Sequence, residues 1–334
     1  MALCALLLGL SAAGCGGDTS PAPVSRRPAT GSAHQTTSRR VKPAPARPAQ
    51  LADRDLYALP SPLRDPASAV LGGGRFVLLG GLDAADTSSA GIEVADRHRV
   101  LHTACLPLAQ HDAQGALVDG SVYVFGGGAL SELDHIVSFD PTSGAAHTVG
   151  ALPHAQSDVA VTALHGTAYV LGGYDGTSWL DTILAWRPGS TARVVARLPV
   201  GLRYAAASAV GGQVLIIGGS TPTAASDAIY RFDPATGRVV QIGRLPQPLT
   251  HAAAATLGPF VYVVGGRGDN LGSQTAAVWS IDPVTGAVRR AGRLREPLSD
   301  TAAVAVGGSI VVAGGLSPTG TVAGVSELTP THLP

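Results

Sequence analysis

Short apolar runs alternate with turn-forming residues along the chain from about residue 51 onward. Runs such as residues 122–125, 214–217 and 261–264 are short and almost wholly apolar, which is typical of strands buried on both faces. Each of these runs is followed directly by two glycines. Glycine-rich turns between short apolar runs favour strands over helices, so the pattern predicts an all-β chain.

The glycine pairs recur at a nearly constant interval. Successive pairs are 46, 46, 46, 47 and 49 residues apart. A period of this size marks a repeat architecture, in which each unit buries its apolar face against the next unit. Six units are enough to close a ring. The pairs are Gly80-Gly81, Gly126-Gly127, Gly172-Gly173, Gly218-Gly219, Gly265-Gly266 and Gly314-Gly315.

Each unit reads as four strands. The first strand has small side chains, as in residues 205–210, and ends in a tight hairpin turn such as Asp119-Gly120, whose residues favour positive φ. The glycine pair follows the second strand. The third strand ends in an Asp-Pro turn, as in residues 140–144, and the fourth leads into Leu-Pro, as at residues 152–153. Four strands per unit predict a propeller blade.

The ends of the repeat predict how the ring closes. A strand-like segment at residues 54–59 precedes the first unit, and the last unit stops after its third strand at residues 325–328. We expect the N-terminal segment to complete the sixth blade, so that no sheet edge stays open. The sequence therefore predicts a six-bladed β-propeller over residues 51–330. Its tight turns should share one face of the ring, and its longer loops the other.

The third unit resembles the kelch repeat through residues 172–177 (GGYDGT) and 180–182 (LDT). The fourth strands lack the tryptophan usual in that family, as in residues 147–149. The resemblance covers about residues 51–328 and implies four-stranded kelch-like blades. It also implies the functions found among kelch-like propellers, which include binding modules, a sialic acid mutarotase and the copper enzyme galactose oxidase.

The first 15 residues have the pattern of a signal peptide. The apolar run Ala2 to Ala13 is too short to span a bilayer. Residues 10–16 (LSAAGCG) resemble a bacterial lipobox, which implies lipidation of Cys15. We expect a lipid-anchored protein outside the bacterial cell membrane. A secreted protein with an ordinary cleaved signal is the alternative, and a cytosolic protein is a third possibility.

Residues 16–50 are rich in Pro, Ser, Ala and Arg and show no apolar periodicity. This composition predicts a disordered tether. The whole chain has 23 basic and 23 acidic residues, so its net charge gives no support to nucleic-acid binding. We expect a monomer that contacts the membrane only through the lipid anchor and binds an unknown protein or carbohydrate.

Polar residues recur at one register of the inner strands. Counting back six residues from the last apolar residue of each strand should place them around one mouth of the central channel, on the face with the longer loops. A sugar could bind there, although each residue could instead merely solvate a strand end. The positions are Arg64, Asp112, Asp158, Tyr204, His251 and Asp300, with His111 and Arg203 one step earlier. Nearby loops add Tyr174, Asp175, Trp179, Arg267 and Asp269.

Other chemistry receives little support from the sequence. The histidines show no metal-binding spacing, so we predict no metal and no cofactor. Galactose oxidase uses a Tyr crosslinked to Cys, whereas Cys105 falls in the outer strand of the first blade and should pack there as a small apolar residue. No hydrolase or nucleotide motif occurs.

The sequence therefore favours a surface-tethered binding or scaffold protein that engages a carbohydrate, a cell-wall fragment or a protein through its loop face. We assign no catalytic residue. The alternative is a sugar-acting enzyme of the mutarotase or galactose oxidase-like kelch type, for which Asp, His or Arg side chains at the mouth could serve as general acid and base.

Overall fold

The computed structural model describes residues 47–331. The predicted signal peptide, the lipidation site Cys15 and the tether up to residue 46 lie outside these residues. Every named element of the described range is a strand, which confirms the all-β class. No helix in residues 47–331 has the length and apolar character needed to cross a membrane.

The strands are mostly five to seven residues long and follow one another closely. In chain order they are β1 (Gln50–Ala58), β2 (Ala67–Leu71), β3 (Arg75–Leu79), β4 (Ser89–Ala95), β5 (Val100–Gln110), β6 (Gln114–Val118), β7 (Ser121–Phe125), β8 (His135–Phe139), β9 (Ala146–Ala151), β10 (Ala160–Leu164), β11 (Thr167–Leu171), β12 (Thr182–Trp186), β13 (Arg193–Arg197), β14 (Ala206–Val210), β15 (Gln213–Ile217), β16 (Ala228–Asp233), β17 (Arg238–Arg244), β18 (Ala253–Leu257), β19 (Phe260–Val264), β20 (Ala277–Ile281), β21 (Val288–Arg293), β22 (Ala302–Val306), β23 (Ser309–Ala313), β24 (Leu316–Ser317), β25 (Gly320–Thr321) and β26 (Gly324–Thr331).

The strands form antiparallel groups of four, which we call blades. β2 to β5, β6 to β9, β10 to β13 and β14 to β17 are separate sheets and make blades 1 to 4. Blade 5 is β18 to β21, and blade 6 is β22, β23, β26 and β1. A short parallel contact between β1 and β21 joins the last two into one sheet. Each inner strand contacts the inner strands of its neighbours, and β22 contacts β2, so the blades form a closed propeller.

The N-terminal strand closes the ring, as the sequence predicts. β1 pairs with β26 from Gln50 opposite Thr331 to Ala58 opposite Gly324, and β26 pairs in turn with β23. The strand begins at Gln50, a few residues earlier than the strand-like segment seen in the sequence. The first and last described segments of the chain are therefore neighbours in a single blade.

The core lies between neighbouring blades. β7 is buried on both faces, and Val122 and Val124 on it pack with Val77 and Leu79 of blade 1. A second example is Trp186, which makes edge contacts to Tyr123 and Phe125 of the preceding blade at 4.8 and 5.4 Å between ring centroids. A blade cannot bury either face alone, which is why the repeat must close.

The glycine pairs occupy points where two segments of backbone meet. Gly218 has a φ of 64°, and a Cβ atom on it would lie 2.2 Å from the carbonyl oxygen of Leu249. That oxygen accepts the amide hydrogen of Gly219 at 2.8 Å. The glycine pair thus anchors the crossing segment that follows the Leu-Pro of the same blade. The other five pairs also have positive φ values, between 60° and 122°.

The two ends of the central channel differ as predicted. Each inner strand runs toward a tight turn, such as Asp119-Gly120 with φ values of 48° and 85°. We call this end the hairpin face. The opposite end, the loop face, carries the glycine-pair loops and the Leu-Pro crossings, which isolated bridges connect to each other. One detail differs in blade 1, where β5 continues past Leu106 and Pro107 to Gln110.

Candidate functional site

The inner strands surround a channel of about 350 Å³. Its lining is mostly alanine, with hydroxyls such as Ser208 and Thr256 and the bulkier Leu117, and contains no charged side chain. At the loop face the channel passes into a smaller cavity of about 50 Å³, which shares Gln114 and Thr301 with it. Charged residues appear only at this narrow end.

A set of six residues, which we call the mouth ring, encircles that narrow end. All six have a left-handed backbone, with φ between 50° and 59°. Main-chain hydrogen bonds join five of the six successive pairs around the channel, as where Tyr204 N donates to Asp158 O at 3.0 Å and His251 N to Tyr204 O at 3.1 Å. The mouth ring consists of Asp65, Asp112, Asp158, Tyr204, His251 and Asp300.

The prediction of Arg64 at this register is wrong by one residue. β2 ends at Leu71, and counting back six residues from it gives Asp65. The three glycines that follow the strand, residues 72–74, obscured its end in the sequence. Arg64 belongs with His111 and Arg203 to the preceding position, which bridges to the loop after the glycine pair. Asp65 was therefore missed, although the same counting rule identifies it.

Arg203 lies at the centre of a small aromatic cluster. Its guanidinium carbon is 4.0 Å from the ring centroid of Tyr174 and 5.1 Å from that of Trp179. Its Nε donates to the carboxylate of Asp158, which is almost wholly buried. Burial raises the pKa of Asp158, and the guanidinium of Arg203 opposes that rise. The two aromatic side chains and Asp158 together hold this cation at the mouth.

Two carboxyl groups of the mouth ring hold their protons unusually strongly. Burial raises the pKa of Asp65 well above its ordinary value, and the charges of Asp300 and Asp112 raise it further. Burial also raises the pKa of Asp112, with added contributions from Asp158 and Asp300. Asp65 and Asp112 therefore lose their protons less readily than exposed aspartates do, which favours the form of the carboxyl that can donate a hydrogen bond.

His251 is neutral and has one defined tautomer. Arg267 Nη2 lies 3.0 Å from His251 Nε2, and Thr250 Oγ1 lies 3.0 Å from Nδ1. Because a guanidinium can only donate, Nε2 must accept and the proton resides on Nδ1. Burial and the charge of Arg267 hold the pKa of His251 well below its ordinary value. The imidazole stacks on Tyr204 with ring centroids 3.6 Å apart.

Arg64 and His111 complete the basic side chains at the mouth. Arg64 Nη1 donates to Asp86 Oδ1 at 2.7 Å. His111 Nδ1 lies 2.9 Å from the hydroxyl of Ser88, while its Nε2 is 3.6 Å from Asp112 Oδ2. Both side chains are about one-fifth exposed, so neither is fully buried.

The loop candidates divide into two groups. Tyr174, Trp179 and Arg267 lie beside mouth-ring residues, through the contacts to Arg203 and His251 described above. Asp175 instead accepts backbone amides of its own turn, and these hydrogen bonds lower its pKa. Asp269 accepts the amide of Ala225 at 2.6 Å and so joins the loops of blades 4 and 5. Asp175 and Asp269 have structural contacts outside the mouth ring.

Cys105 is not packed as the sequence suggested. It lies on β5, the outer strand of blade 1, and its side chain is exposed because it points away from the neighbouring blade. Within residues 47–331, no group of three or more His, Cys, Asp or Glu side chains is arranged to hold a metal ion.

Comparisons with known proteins agree with this geometry. The sequence profile of the kelch motif matches residues 201–246, which contain blade 4 and the crossing that leads into it. Among solved structures, that of YjhT superposes with a TM-score of 0.71, over 83% of this chain and 97% of that one. The chain is a β-propeller that carries a kelch motif in blade 4.

The likeness to YjhT is at 15% sequence identity, so it concerns the fold alone. No protein of curated function matches the chain in sequence. Kelch propellers commonly mediate protein interactions, and some are enzymes. The fold therefore suggests a protein-binding or scaffold role, or a kelch-type enzyme, and the site must distinguish between them.

Proposed function

We propose that this kelch propeller is a lipid-tethered, extracytoplasmic binding protein that engages a carbohydrate or cell-wall fragment at the mouth ring. The observation that carries the proposal is the mixture of groups converging on one small cavity. Four aspartates with raised pKa values line it together with Tyr204 and His251, and Arg203 donates to the Asp158 carboxylate beside it. Sugar hydroxyls both donate and accept hydrogen bonds, so such a mixture suits them.

The size of the cavity defines how the ligand would sit. About 50 Å³ is room for only one or two hydroxyl-bearing groups, since one water molecule occupies about 30 Å³ in the liquid. Most of the ligand would therefore lie on the loop face, against Tyr174 and Trp179. Their rings are 5.4 Å apart and edge-on to each other. Apolar faces of a sugar pack well on such aromatic rings.

The chain enters the propeller at the end opposite the mouth ring. β1 runs from Gln50 at the hairpin face toward the loop face, antiparallel to β26. A tether attached at Gln50 is thus consistent with a loop face that stays open to ligand. Replacement of Cys15 by serine tests the anchor directly. The protein should then leave the membrane fraction of expressing cells, and an unchanged membrane fraction would contradict lipidation.

Binding can be measured by titrating the protein with reducing sugars and peptidoglycan fragments while following tryptophan fluorescence and heat. The double variant Asp158→Asn, Arg203→Gln should weaken binding at least about tenfold, because charge-assisted hydrogen bonds contribute roughly 1.5–3 kcal/mol each. Arg244→Ala is the matched control, since it breaks an exposed Arg–Asp pair in blade 4. Equal affinity of the double variant and the control would refute the proposed site.

A sugar-acting enzyme of the mutarotase type is the second candidate. It is favoured by the raised pKa of Asp112 and the lowered pKa of His251 at the same mouth ring, because such a pair offers a proton donor beside a proton acceptor. Exchange between sugar anomers, followed by NMR, decides the matter. Catalysed exchange that is lost in Asp112→Asn supports an enzyme, whereas ligand-induced thermal stabilisation without exchange supports a binding protein.

A further inference from the structure

One inner strand departs from the small-residue pattern of the channel. Every inner strand begins two residues after its mouth-ring residue, and in blade 2 this first position holds Gln114. The other five inner strands all begin with alanine, namely Ala67, Ala160, Ala206, Ala253 and Ala302. Blade 2 therefore places an amide side chain where the repeat otherwise has a methyl group.

Gln114 lies where the channel meets the smaller cavity at the loop face, which we call the mouth cavity. It lines both the channel of about 350 Å³ and the mouth cavity of about 50 Å³. The next residue, Gly115, approaches β2 so closely that a Cβ atom on it would lie 2.8 Å from Ser68 O. This close packing leaves the backbone that carries Gln114 little room to move.

The side-chain amide of Gln114 makes no hydrogen bond within residues 47–331. Two other glutamines differ from it in this respect. Gln110 Nε2 donates to Gly126 O at 3.2 Å, and Gln156 Nε2 donates to Gly172 O at 3.4 Å. Both of those side chains are buried and support the glycine-pair loops, whereas Gln114 is only partly buried. Its donor and its acceptor are thus free for a ligand.

The charges around the mouth cavity favour a neutral ligand group. Four aspartates line this cavity and no Arg or Lys does, so an anionic group would meet carboxyls and no cation of the lining. Burial lowers the pKa of the lining His251, and the charges of three surrounding arginines lower it further. The same three arginines oppose the entry of a cation. A neutral group that donates and accepts hydrogen bonds avoids both penalties.

We propose, building on the carbohydrate site above, that Gln114 recognises the N-acetyl group of an N-acetylated sugar. The N–H and the carbonyl oxygen of an acetamido group point in opposite directions, because its amide is trans. Gln114 Nε2 donates to that carbonyl oxygen, and mouth-ring carboxyls accept the N–H. The methyl group enters the channel, where alanine side chains surround it. Gln114 is thereby a residue that determines specificity.

Glucose, glucosamine and N-acetylglucosamine test the assignment, because they differ only in the substituent at one ring position. Isothermal titration of the full-length chain measures each affinity. We expect N-acetylglucosamine to bind at least about tenfold more tightly than either of the others, which corresponds to about 1.4 kcal/mol. Equal affinities would overturn the acetamido assignment but leave the carbohydrate site in place. Tighter binding of glucosamine would overturn it in favour of a cationic ligand.

Binding of none of the three sugars would refute the carbohydrate site itself, and the acetamido assignment with it. A peptide amide is a second source of the same chemistry, and N-acetylalanine methylamide represents it. We expect this compound to bind more weakly than N-acetylglucosamine, because it has no sugar ring to contact Tyr174 and Trp179. Equal or tighter binding of the peptide amide would overturn the assignment to a sugar.

Gln114→Ala tests the residue. Alanine begins the other five inner strands, so we expect the variant to fold, and its thermal melt verifies this. The variant should bind N-acetylglucosamine about tenfold more weakly and glucose with unchanged affinity, so that the preference disappears. Gln241→Ala is the matched control, because it removes an exposed glutamine amide from β17. A Gln114→Ala chain that keeps the preference would contradict recognition by this amide.

Gln114→Met separates hydrogen bonding from shape. Methionine has a similar length but no donor, so the preference for N-acetylglucosamine should be lost as it is in Gln114→Ala. A preference that survives in Gln114→Met would show that the pocket selects the substituent by shape, and Nε2 would then have no part in recognition. This variant also replaces Gln114→Ala if the alanine variant does not fold.

Discussion

Single glycines determine whether a blade can form, and Gly218 shows why. It combines a φ of 64° with a neighbouring carbonyl that a Cβ atom would approach to 2.2 Å. Gly211 in the hairpin turn of the same blade has a similar φ of 57° but open space around it. A substitution at Gly211 therefore introduces backbone strain alone, whereas a substitution at Gly218 introduces backbone strain and a steric clash.

Replacing each of these glycines by alanine should give different losses of stability. Gly211→Ala should cost about 1–2 kcal/mol, which is the penalty for a left-handed alanine. Gly218→Ala should cost roughly 1–3 kcal/mol more, because the leucine carbonyl must move. Urea denaturation measures both. Equal losses would show that the contact with Leu249 is unimportant.

Glu327 gives a second prediction at the scale of one residue. Its side chain is only 2% exposed, and it accepts hydrogen bonds from Arg54 at 3.0 Å and Arg97 at 2.8 Å. Burial opposes its ionisation, but the hydrogen bonds from Arg97, Ser309 and Arg54 outweigh burial and lower its pKa. The stability from this group is present above its unfolded pKa and is lost as pH falls through the lower folded value.

We therefore expect Glu327→Gln to lower the free energy of unfolding at pH 7. Below pH 5, the free energy of unfolding of the variant should fall less steeply with decreasing pH than that of the parent chain. Urea denaturation at several pH values below 5 measures the difference. Glu93→Gln is the control. Burial raises the pKa of Glu93, so its ionisation costs stability as pH rises, and its replacement should make the protein more stable relative to the parent chain at higher pH. A Glu327→Gln curve parallel to that of the parent chain would argue against the ionised contact.

At the scale of elements, local turn chemistry was the most predictable part of the molecule. The pairs Asp119-Gly120 and His165-Gly166 have the positive φ values that their sequence indicates. Strand ends were less predictable where glycine is abundant, and this is how Asp65 was missed and Arg64 misplaced by one register. The exposure of Cys105 was also missed, because apolar composition does not reveal which side of an edge strand faces solvent.

The contacts of the candidate site could not be predicted from sequence spacing. Arg203 stacks on Tyr174, and Arg267 donates to His251, across separate loops that only the closed ring brings together. The counting rule did identify most of the mouth ring, because every inner strand has the same length. Register is thus encoded locally, whereas side-chain partners depend on the assembled ring.

The closing strand β1 carries a prediction of its own. Because β1 is the outer strand of blade 6, its removal leaves β26 with an open edge and separates the two ends of the chain. Deleting residues 47–58 should abolish cooperative unfolding, as measured by calorimetry. Deleting residues 1–45, which precede the described strands, is the control and should leave the melting transition in place. A normal transition after loss of β1 would contradict closure by this strand.

For the whole molecule, the mouth ring raises the question of whether its aspartates serve the fold or a ligand. Asp is well tolerated in the left-handed conformation that all six positions adopt, but Asn is tolerated equally well. The backbone conformation of these turns therefore does not explain why aspartate, and not asparagine, occupies four of the six positions. Burial raises the pKa of all four carboxyls at this end of the channel, and neighbouring carboxylates raise those of Asp65 and Asp112 further, so their ionisation costs stability.

Asp112→Asn tests this balance. The folded pKa of Asp112 is raised, so the wild-type stability that depends on it is complete below the unfolded pKa and declines as pH rises through the folded value. The variant escapes that decline, and its stability relative to the parent should grow between pH 4 and pH 8 in urea denaturation. Asp140→Asn should behave oppositely, because hydrogen bonds from Ser143 and Thr142 lower the pKa of Asp140.

Titration of Asp112→Asn with ligand shows whether the carboxyl that lowers stability also contributes to binding. If Asp112→Asn stabilises the propeller at pH 8 yet weakens ligand binding, then the chain retains a destabilising carboxyl for the sake of its site, since proteins commonly accept lost stability where function needs strained or charged groups. If instead the variant is less stable at every pH, the carboxyl supports the turn and the proposed site loses its main support. One substitution thus connects the stability of the closed ring to the chemistry at its mouth.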